Sequence, residues 1–307
     1  MSLKSAQRYG EMMRKIREQE ERQAYLKTPA GQAELARQQA EHAAQEARMR
    51  RLETPIPLVK RGDGIVFGTR LRTGEDVAVP IRRLRHMLIS GVSGAGKSVF
   101  SHSLIWQLLQ SSETDRLVLI DLKGGVEFER YRTSAKVEVV WDFPAVEKVV
   151  SGLMYAMGER QEYMRKSGLQ HWDKGRTFVI IDEFAEIQGE IDAAETKDDK
   201  IIAKRLTANL ISISRRARAL GIVLICALQK ATTDAMPSSL RNNLDYRIVF
   251  RCANRLTASS MLDDVDSLPV DPTQLPTGRF YFYDASRGEK RLLQSHIAPG
   301  VNLSDYW

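Results

Sequence analysis

The chain has 307 residues, of which 43% are hydrophobic and 28% charged, and its formal net charge is +7. This size and apolar content suit one main folded domain with a smaller appendage, and the basic charge favours an acidic partner such as nucleic acid or an anionic membrane surface. No apolar run approaches the roughly 18 residues of a membrane span, the start lacks a signal peptide, and the cysteines form no disulfide framework, which together indicate a cytoplasmic protein.

The first segment, residues 1–52, is charged and favours helix. It is rich in Glu, Gln, Arg and Ala, but its apolar positions are too sparse for a stripe that faces a core. Because Thr28, Pro29 and Gly31 interrupt its middle, we expect two solvated helices or a short coiled-coil hairpin. Such an extension is either a charged tail or an arm that docks on a partner or on DNA.

A linker and a β-hairpin are expected next, over residues 53–85. Pro55 and Pro57 are typical of a linker. Two short apolar runs, around 64–70 and 76–81, predict the strands of a hairpin that leads into the first core strand.

Residues 86–307 alternate between strand and helix patterns, and we assign them to one domain. Apolar β-branched runs typical of buried strands are found at residues 86–90, 116–121, 137–141, 177–182, 222–228 and 246–252. Helical spacing is found between them, at residues 97–109, 144–166 and 200–219. Continuous apolar strands separated by helices indicate an α/β fold with a central, mostly parallel sheet covered on both faces.

A glycine-rich motif follows the first core strand. The sequence GVSGAGKS at residues 91–98 fits G-x-x-x-x-G-K-[ST] in the strand–loop–helix context that a phosphate-binding loop requires, and an ordinary glycine-rich turn is the alternative. Lys97 is predicted to reach the β- and γ-phosphates of a bound nucleotide, and Ser98 is predicted to bind Mg²⁺. The predicted nucleotide-binding residues are Gly91, Val92, Ser93, Gly94, Ala95, Gly96, Lys97, Ser98 and Val99.

Two carboxylates end a later strand. Asp182 and Glu183 follow an apolar run, and in a parallel sheet this puts them at the edge that also carries the phosphate-binding loop. Asp182 is the predicted magnesium partner, and Glu183 is predicted to polarise the attacking water. Alone this pattern is weak, but together with the loop it is specific for a nucleotide triphosphatase.

Several segments together resemble the FtsK/SpoIIIE family, in the FtsK and HerA superfamily of DNA-pumping ATPases. They are HMLISGVSGAGKSVF, LVLIDLKGGVEF, FVIIDEFAEI, RRARALGIVLICALQKATTDAMPSSLRNNLDYRIVFR and GRFYFYD, which occur in the order and spacing of that family. The resemblance covers about residues 60–300. It implies a RecA-like P-loop NTPase that uses ATP and Mg²⁺.

The resemblance also implies a mechanism and further residue roles. Family members are hexameric ring motors that hydrolyse ATP at subunit interfaces and thread double-stranded DNA through a channel. Arg218 matches the arginine finger, although a merely solvated basic helix face is the alternative. Gln229 matches a polar sensor, although a glutamine there could also cap the strand. The catalytic residues implied are thus Lys97, Glu183, Arg218 and Gln229.

The sequence also departs from the family. The large cell-division members carry membrane helices ahead of the motor and a winged-helix module behind it, whereas this sequence resembles the motor domain only. Because LKGGVEF looks more like the mobile-element and virus-related members, we expect a motor that moves plasmid, integrative-element or viral DNA. A type VII-like protein secretion ATPase is the alternative, since those enzymes share the fold, and a non-hydrolysing adaptor is a remote third.

A motor of this kind would grip DNA mainly through its phosphates. Two polar segments, residues 188–200 and 231–243, are candidate loops at the pore or the ring faces. The histidines show no metal-ligand spacing, and we expect ordinary surface or core roles for them.

Overall fold

A computed structural model gives the structure of the protein and describes residues 13–15, 17–18, 21–51, 56–59, 62, 64–229 and 235–306. The chain forms two compact units, residues 1–54 and 55–307. Among the described residues, no helix combines the length and the apolar character needed to cross a bilayer.

The first unit is helical wherever it is described. Residues 21–26 are helical, and after a turn helix α1 covers Pro29–Arg51. The break falls at the expected position, because the Thr28 hydroxyl accepts a hydrogen bond from the Gly31 amide at 3.1 Å and so caps the start of the helix. Most described side chains here are exposed, in agreement with solvated helices.

The second unit contains a 10-stranded sheet and a small 2-stranded sheet. The small sheet pairs β1 with β12. The strands are β1 (Ile56–Pro57), β2 (Gly64–Arg70), β3 (Asp76–Pro80), β4 (Met87–Ser90), β5 (Thr114–Ile120), β6 (Val137–Val140), β7 (Arg176–Ile181), β8 (Ile222–Leu228), β9 (Tyr246–Val249), β10 (Arg279–Asp284), β11 (Glu289–Gln294) and β12 (His296–Ile297).

Strand order in the large sheet is β3-β2-β11-β10-β9-β4-β8-β7-β5-β6. The half from β9 to β6 is parallel, as predicted, and the other half is antiparallel. The predicted hairpin, β2 and β3, does form, but it is not a separate linker element. Arg70 and Thr69 in β2 pair with Leu293 and Gln294 in β11, so the hairpin extends the main sheet.

Helices cover both faces of the sheet. They are α2 (Lys97–Leu109), α3 (Phe143–Ser167), α4 (Phe184–Asp192), α5 (Lys197–Arg216), α6 (Ser238–Arg241) and α7 (Arg255–Leu262), with short 3₁₀ turns at Ile81–Arg83, Glu129–Tyr131, Pro272–Gln274 and Leu303–Asp305. Helix α5 begins before the predicted residue 200, because the Thr196 side chain caps it by accepting from the Asp199 amide at 3.1 Å.

The two candidate pore segments have different outcomes. Most of residues 188–200 belongs to the end of α4 and the start of α5, so this segment is a short turn between helices rather than a long loop. Within residues 231–243, positions 231–234 lie outside the described residues, and α6 occupies 238–241.

Alternate residues of the central strands face two separate hydrophobic clusters. In β8, Val223 and Ile225 pack on the α2 side with Phe100, whereas Leu224 and Cys226 pack on the opposite side. Every residue of this strand is therefore buried, which explains its continuous apolar sequence.

A buried glutamine joins the hairpin to α2. Gln107 is 5% exposed; its carbonyl oxygen accepts from the Val66 amide at 2.7 Å, and its side-chain nitrogen donates to the Val66 carbonyl at 3.0 Å. The edge of the sheet is thus hydrogen bonded to the helix that follows the glycine-rich loop.

We predict that Gln107→Met lowers the free energy of unfolding by about 1–3 kcal/mol, because methionine keeps the volume but leaves two buried backbone groups of Val66 without partners. Urea unfolding measures this loss. Gln161→Met, at an exposed position of α3, is the matched control and should change stability by less than about 0.5 kcal/mol. Equal stability of the two variants would contradict this role of Gln107.

Candidate active site

The glycine-rich loop joins β4 to α2 and takes a conformation that needs glycine. Gly91 has φ of 155° and Gly96 has φ of 108°. A Cβ at Gly91 would lie 2.6 Å from the Cβ of Phe250, and a Cβ at Gly96 would lie 3.1 Å from the Cα of Gly278. The two glycines let the backbone pass closely against the neighbouring loops, and a side chain at either position would displace it.

Three of the nine predicted nucleotide-binding residues hold the loop against neighbouring segments through backbone hydrogen bonds. The Gly91 amide donates to the Leu228 carbonyl at 3.3 Å, and the Val92 amide donates to the Arg251 carbonyl at 2.9 Å. The Ala95 carbonyl accepts from the Gly278 amide at 2.9 Å. These bonds fix the loop to the ends of β8, β9 and the segment before β10.

Lys97 lies over its own loop. Its ammonium donates to the Gly91 carbonyl at 2.6 Å and to the Val92 carbonyl at 3.2 Å. Burial lowers the pKa of Lys97, and the nearby carboxylates of Glu183 and Asp182 oppose this shift. The Lys97 ammonium is therefore partly desolvated, and an anionic oxygen would be a stronger hydrogen-bond acceptor for it than the two carbonyl oxygens.

Asp182 and Glu183 lie where β7 ends, close to Lys97. Burial, together with the nearby carboxylates of Glu127 and Asp121, raises the pKa of Asp182 to about 6. Glu183 is 8% exposed, and burial raises its pKa as well. Its two oxygens accept from the Gln229 amide at 3.3 and 3.2 Å, which links the ends of β7 and β8.

The loop after β5 brings another lysine to this edge. Asp121 organises the loop by accepting from the amides of Lys123 at 2.9 Å and Glu127 at 3.3 Å. The Lys123 ammonium lies 4.0 Å from Glu183 and 3.8 Å from Glu186. Lys123 thus belongs to the electrostatic surroundings of Glu183, a contact that the sequence did not indicate.

These elements enclose a polar cavity of about 240 Å³ at the carboxyl ends of the parallel strands. It brings together nine residues that the sequence singled out, namely Ser93, Gly94, Gly96, Lys97, Ser98, Val99, Asp182, Glu183 and Gln229. It also includes Tyr306, which sequence reasoning missed. Tyr306 lies far along the chain and in no motif, so no local pattern indicates its position.

Arg218 lies elsewhere, before the first residue of β8, whereas Gln229 follows the last. Because β8 has 7 residues, the two ends of the strand are roughly 20 Å apart. The Arg218 guanidinium contacts Asp245 at 3.1 Å, and Arg85 contacts the same carboxylate oxygen at 3.2 Å. Arg218 is therefore not part of the cavity formed by its own glycine-rich loop.

Arg218 lines a second cavity, of about 570 Å³, at this opposite edge of the sheet. The cavity is rich in arginine: its lining includes Arg82, Arg83, Arg85, Arg176, Arg218, Arg287 and Arg291. Burial, Arg218 and Arg176 lower the pKa of the adjacent His86 to about 4, so that His86 stays neutral at physiological pH. Arginine side chains thus cluster at this edge, whereas Asp182 and Glu183 lie at the other.

The residues of the smaller cavity fit a nucleotide triphosphate with Mg²⁺. The described residues contain no group of three or more His, Cys, Asp or Glu side chains arranged to hold a metal. Mg²⁺ commonly takes only one or two protein oxygens together with substrate phosphates. The Ser98 hydroxyl and the crowded, desolvated carboxylate of Asp182 are suitable donors of this kind, and a cation there would relieve the repulsion among the carboxylates.

Comparison with known proteins identifies relatives. The profile of the FtsK/SpoIIIE family matches residues 34–265. Protein Tra of Streptomyces lividans is 32% identical over 207 residues, which cover 64% of this chain and 32% of Tra. DNA translocase FtsK of Chlamydia trachomatis serovar D is 28% identical over 231 residues, which cover 70% of this chain and 27% of FtsK. The chain therefore spans about a third or less of these two relatives.

Solved structures with the same fold include a conjugation coupling protein and a secretion ATPase. The pCW3 conjugation coupling protein TcpA, solved with ATPγS, aligns with a TM-score of 0.69 at 22% identity, over 82% of this chain and 71% of TcpA. The cytoplasmic domain of the Thermomonospora curvata type VII secretion ATPase EccC aligns with a TM-score of 0.62 at 22% identity, over 80% of this chain and 30% of EccC. These alignments agree with the α/β fold and its mostly parallel sheet.

We predict that Asp182→Asn stabilises the nucleotide-free protein at neutral pH. The pKa of Asp182 is raised from 3.8 to about 6 in the folded chain, so its ionisation reduces folding stability as the pH rises from about 4 to about 6. The gain in unfolding free energy should be about 1–3 kcal/mol at pH 7.5 and should shrink toward zero near pH 4.

Urea titrations at several pH values, without Mg²⁺ or nucleotide, test this pH dependence. Asp173→Asn, at an exposed position, is the control and should show no such trend. A stabilisation by Asp182→Asn that does not change with pH would contradict the assignment of the shift to Asp182.

Proposed function

The chain belongs to the FtsK/SpoIIIE family, and from that premise we propose that it is an ATP-driven motor that moves double-stranded DNA. One observation supports this most: the glycine-rich loop, Lys97, Asp182, Glu183 and Gln229 converge on one polar cavity at one edge of the parallel sheet. Each residue type matches a step of triphosphate hydrolysis.

ATP is the proposed substrate of this cavity. The loop amides and the ammonium of Lys97 would contact the phosphates, and Lys97 would give up its present bonds to the Gly91 and Val92 carbonyls. Ser98 and Asp182 would hold Mg²⁺, which when bound neutralises charge on the β- and γ-phosphates.

Glu183 is the proposed base that orients and polarises the attacking water. Its raised pKa makes it a better proton acceptor than an exposed glutamate. The backbone of Gln229 already contacts both of its oxygens, which keeps the carboxylate at the cavity and leaves the Gln229 side chain to contact the reacting phosphate.

Arg218 is the proposed arginine finger, and it would act on the nucleotide of a neighbouring subunit. It cannot serve its own cavity, because the length of β8 separates the two sites. In a head-to-tail ring the arginine-rich edge of one subunit would face the carboxylate-rich edge of the next, and we propose a homohexamer of this type. Asp245 would hold Arg218 and Arg85 side by side at that interface.

DNA is the proposed cargo. The net charge of +7 favours a polyanion. Relatives include a DNA translocase, a Tra protein and a conjugation coupling protein, so mobile DNA such as a plasmid, an integrative element or a viral genome is the proposed substrate, handled in the cytoplasm. Similarity to EccC makes protein secretion the second candidate function.

ATP hydrolysis measured with and without long linear duplex separates the two candidates. A DNA motor should hydrolyse ATP several-fold faster with duplex, and its DNA affinity should fall with salt by a log–log slope of about −0.9 per phosphate contacted. An ATP hydrolysis rate that is the same with and without duplex, together with no salt-sensitive DNA binding, would contradict the proposal. Co-purification of a small helical secreted protein without DNA would favour secretion.

Two substitutions in the cavity should give opposite binding results. Lys97→Ala should abolish binding of a fluorescent ATP analogue, because it removes the cation that contacts the phosphates. Glu183→Gln should bind the analogue with unchanged affinity but lower kcat by at least about 10²-fold. Loss of binding in Glu183→Gln, or normal turnover in it, would contradict the proposed role of Glu183.

Mixing inactive subunits tests the action of Arg218 between subunits. Arg218→Ala should spare ATP binding and reduce kcat by about 10³-fold or more. When it is mixed with Glu183→Gln protein, activity should return, since random mixing makes about one interface in four from an intact cavity and an intact Arg218. Arg215→Ala, at an exposed position in the last turn of α5, is the control and should remain active alone. Absence of recovery would contradict the assignment.

A further inference from the structure

A buried histidine connects the end of the described chain to the nucleotide cavity. His102 is fully buried in α2. Its Nδ1 lies 2.6 Å from the Tyr131 hydroxyl, and its Nε2 lies 3.0 Å from a Glu127 carboxylate oxygen and 2.6 Å from the Tyr306 hydroxyl. Every polar atom of this ring therefore has a partner.

The partners of His102 determine its tautomer. A carboxylate only accepts hydrogen bonds, so Nε2 must carry a proton, and the Glu127 carboxylate and the Tyr306 hydroxyl oxygen both accept from this one N–H. In the neutral ring Nδ1 is then an acceptor, and the Tyr131 hydroxyl donates to it. This directed arrangement gives Glu127 a fixed hydrogen-bond donor from a buried helix.

Glu127 is also fixed through its backbone. Its amide donates to the Asp121 carboxylate at 3.3 Å, so the loop after β5 holds the residue from one side and His102 holds its side chain from the other. Hydrogen bonds therefore fix both the backbone and the carboxylate of Glu127.

Ser98 and His102 are four residues apart in α2 and lie on the same face of the helix. The carboxylate that His102 holds therefore lies toward Ser98: the hydrogen bond with His102 lowers the pKa of Glu127 most, and a hydrogen bond with the Ser98 side chain lowers it as well. Tyr306, which contacts the same nitrogen of His102 as Glu127 does, lines the cavity together with Ser98.

A serine that binds a cation must direct a lone pair at it, and its proton then needs an acceptor. We propose that Glu127 is a positioning residue: its carboxylate accepts a hydrogen bond from the Ser98 hydroxyl and so turns the Ser98 oxygen toward the nucleotide-bound cation. His102, which contacts Tyr131 and Tyr306, holds Glu127 in place. This inference rests on the proposed ATP and Mg²⁺ site. Residues that orient metal ligands in this way typically affect metal affinity by about 10–100-fold.

The experiment measures binding of a fluorescent ADP analogue as Mg²⁺ is titrated, and again in EDTA. Glu127→Gln should raise the Mg²⁺ concentration at half-saturation about 10-fold, because an amide accepts the serine proton more weakly, and should leave binding in EDTA unchanged. Tyr306→Phe, which removes only the hydroxyl that contacts His102, should shift the Mg²⁺ midpoint in the same direction by a smaller factor.

Glu129→Gln, two residues along and exposed, is the matched control and should behave as the unaltered protein. A normal Mg²⁺ midpoint in Glu127→Gln would overturn the inference, and so would an equal loss of binding with and without Mg²⁺, which marks a merely structural role. If Glu127→Gln does not fold, an unchanged midpoint in folded Tyr306→Phe would overturn the inference. Absence of nucleotide binding by the unaltered protein would overturn the proposed ATP site and the inference with it.

Discussion

The parallel direction of β4, β5, β7 and β8 is the constraint on which the rest of the structure depends. Parallel strands release their following loops at one edge of the sheet and receive their preceding loops at the other. The glycine-rich loop, the carboxylates and Gln229 all follow strands, and Arg85, Arg218 and Asp245 all precede strands. The separation of an acidic edge that carries the glycine-rich loop from an arginine-rich edge therefore follows from chain direction.

The acidic edge also carries negative charges that are poorly stabilised, because the chain direction brings buried carboxylates together there. Asp182 and Glu183 both have raised pKa values, chiefly because burial removes water that would stabilise their charges. Lys97 and Lys123 partly compensate, and Lys97 is itself desolvated. A divalent cation here would offset the negative charge of these carboxylates and of a triphosphate together, which agrees with the proposed ATP and Mg²⁺ site.

The sequence predicted those parts of the protein that depend on local patterns. The glycine-rich loop with its flanking strand and helix, the parallel strands, and the carboxylates after β7 all follow from spacing over a few residues. It did not indicate that β2 pairs with β11, because more than 200 residues separate their partners and pairing between strands so far apart in the sequence leaves no local signal.

The same limit applied within the site. In the sequence, His102 is one residue of a mostly apolar predicted helix, and Glu127 is one acidic residue of a loop. Only the fold brings them together with Tyr131 and Tyr306. Arg218 was suggested by family resemblance, whereas its contact with Asp245 and its place in an arginine-lined cavity came from tertiary structure. Residue chemistry could be read from the sequence, and the distances between residues could not.

An experimental structure of the assembled protein with a non-hydrolysable ATP analogue and linear duplex would test the central claim most directly. The quantity to measure is the distance from the Arg218 guanidinium to the nearest γ-phosphate bound by an adjacent subunit. We expect a charge-assisted hydrogen bond, with nitrogen and oxygen about 3 Å apart. An assembly in which Arg218 faces solvent, beyond about 10 Å from every nucleotide and thus outside the screening length of salt, would contradict it.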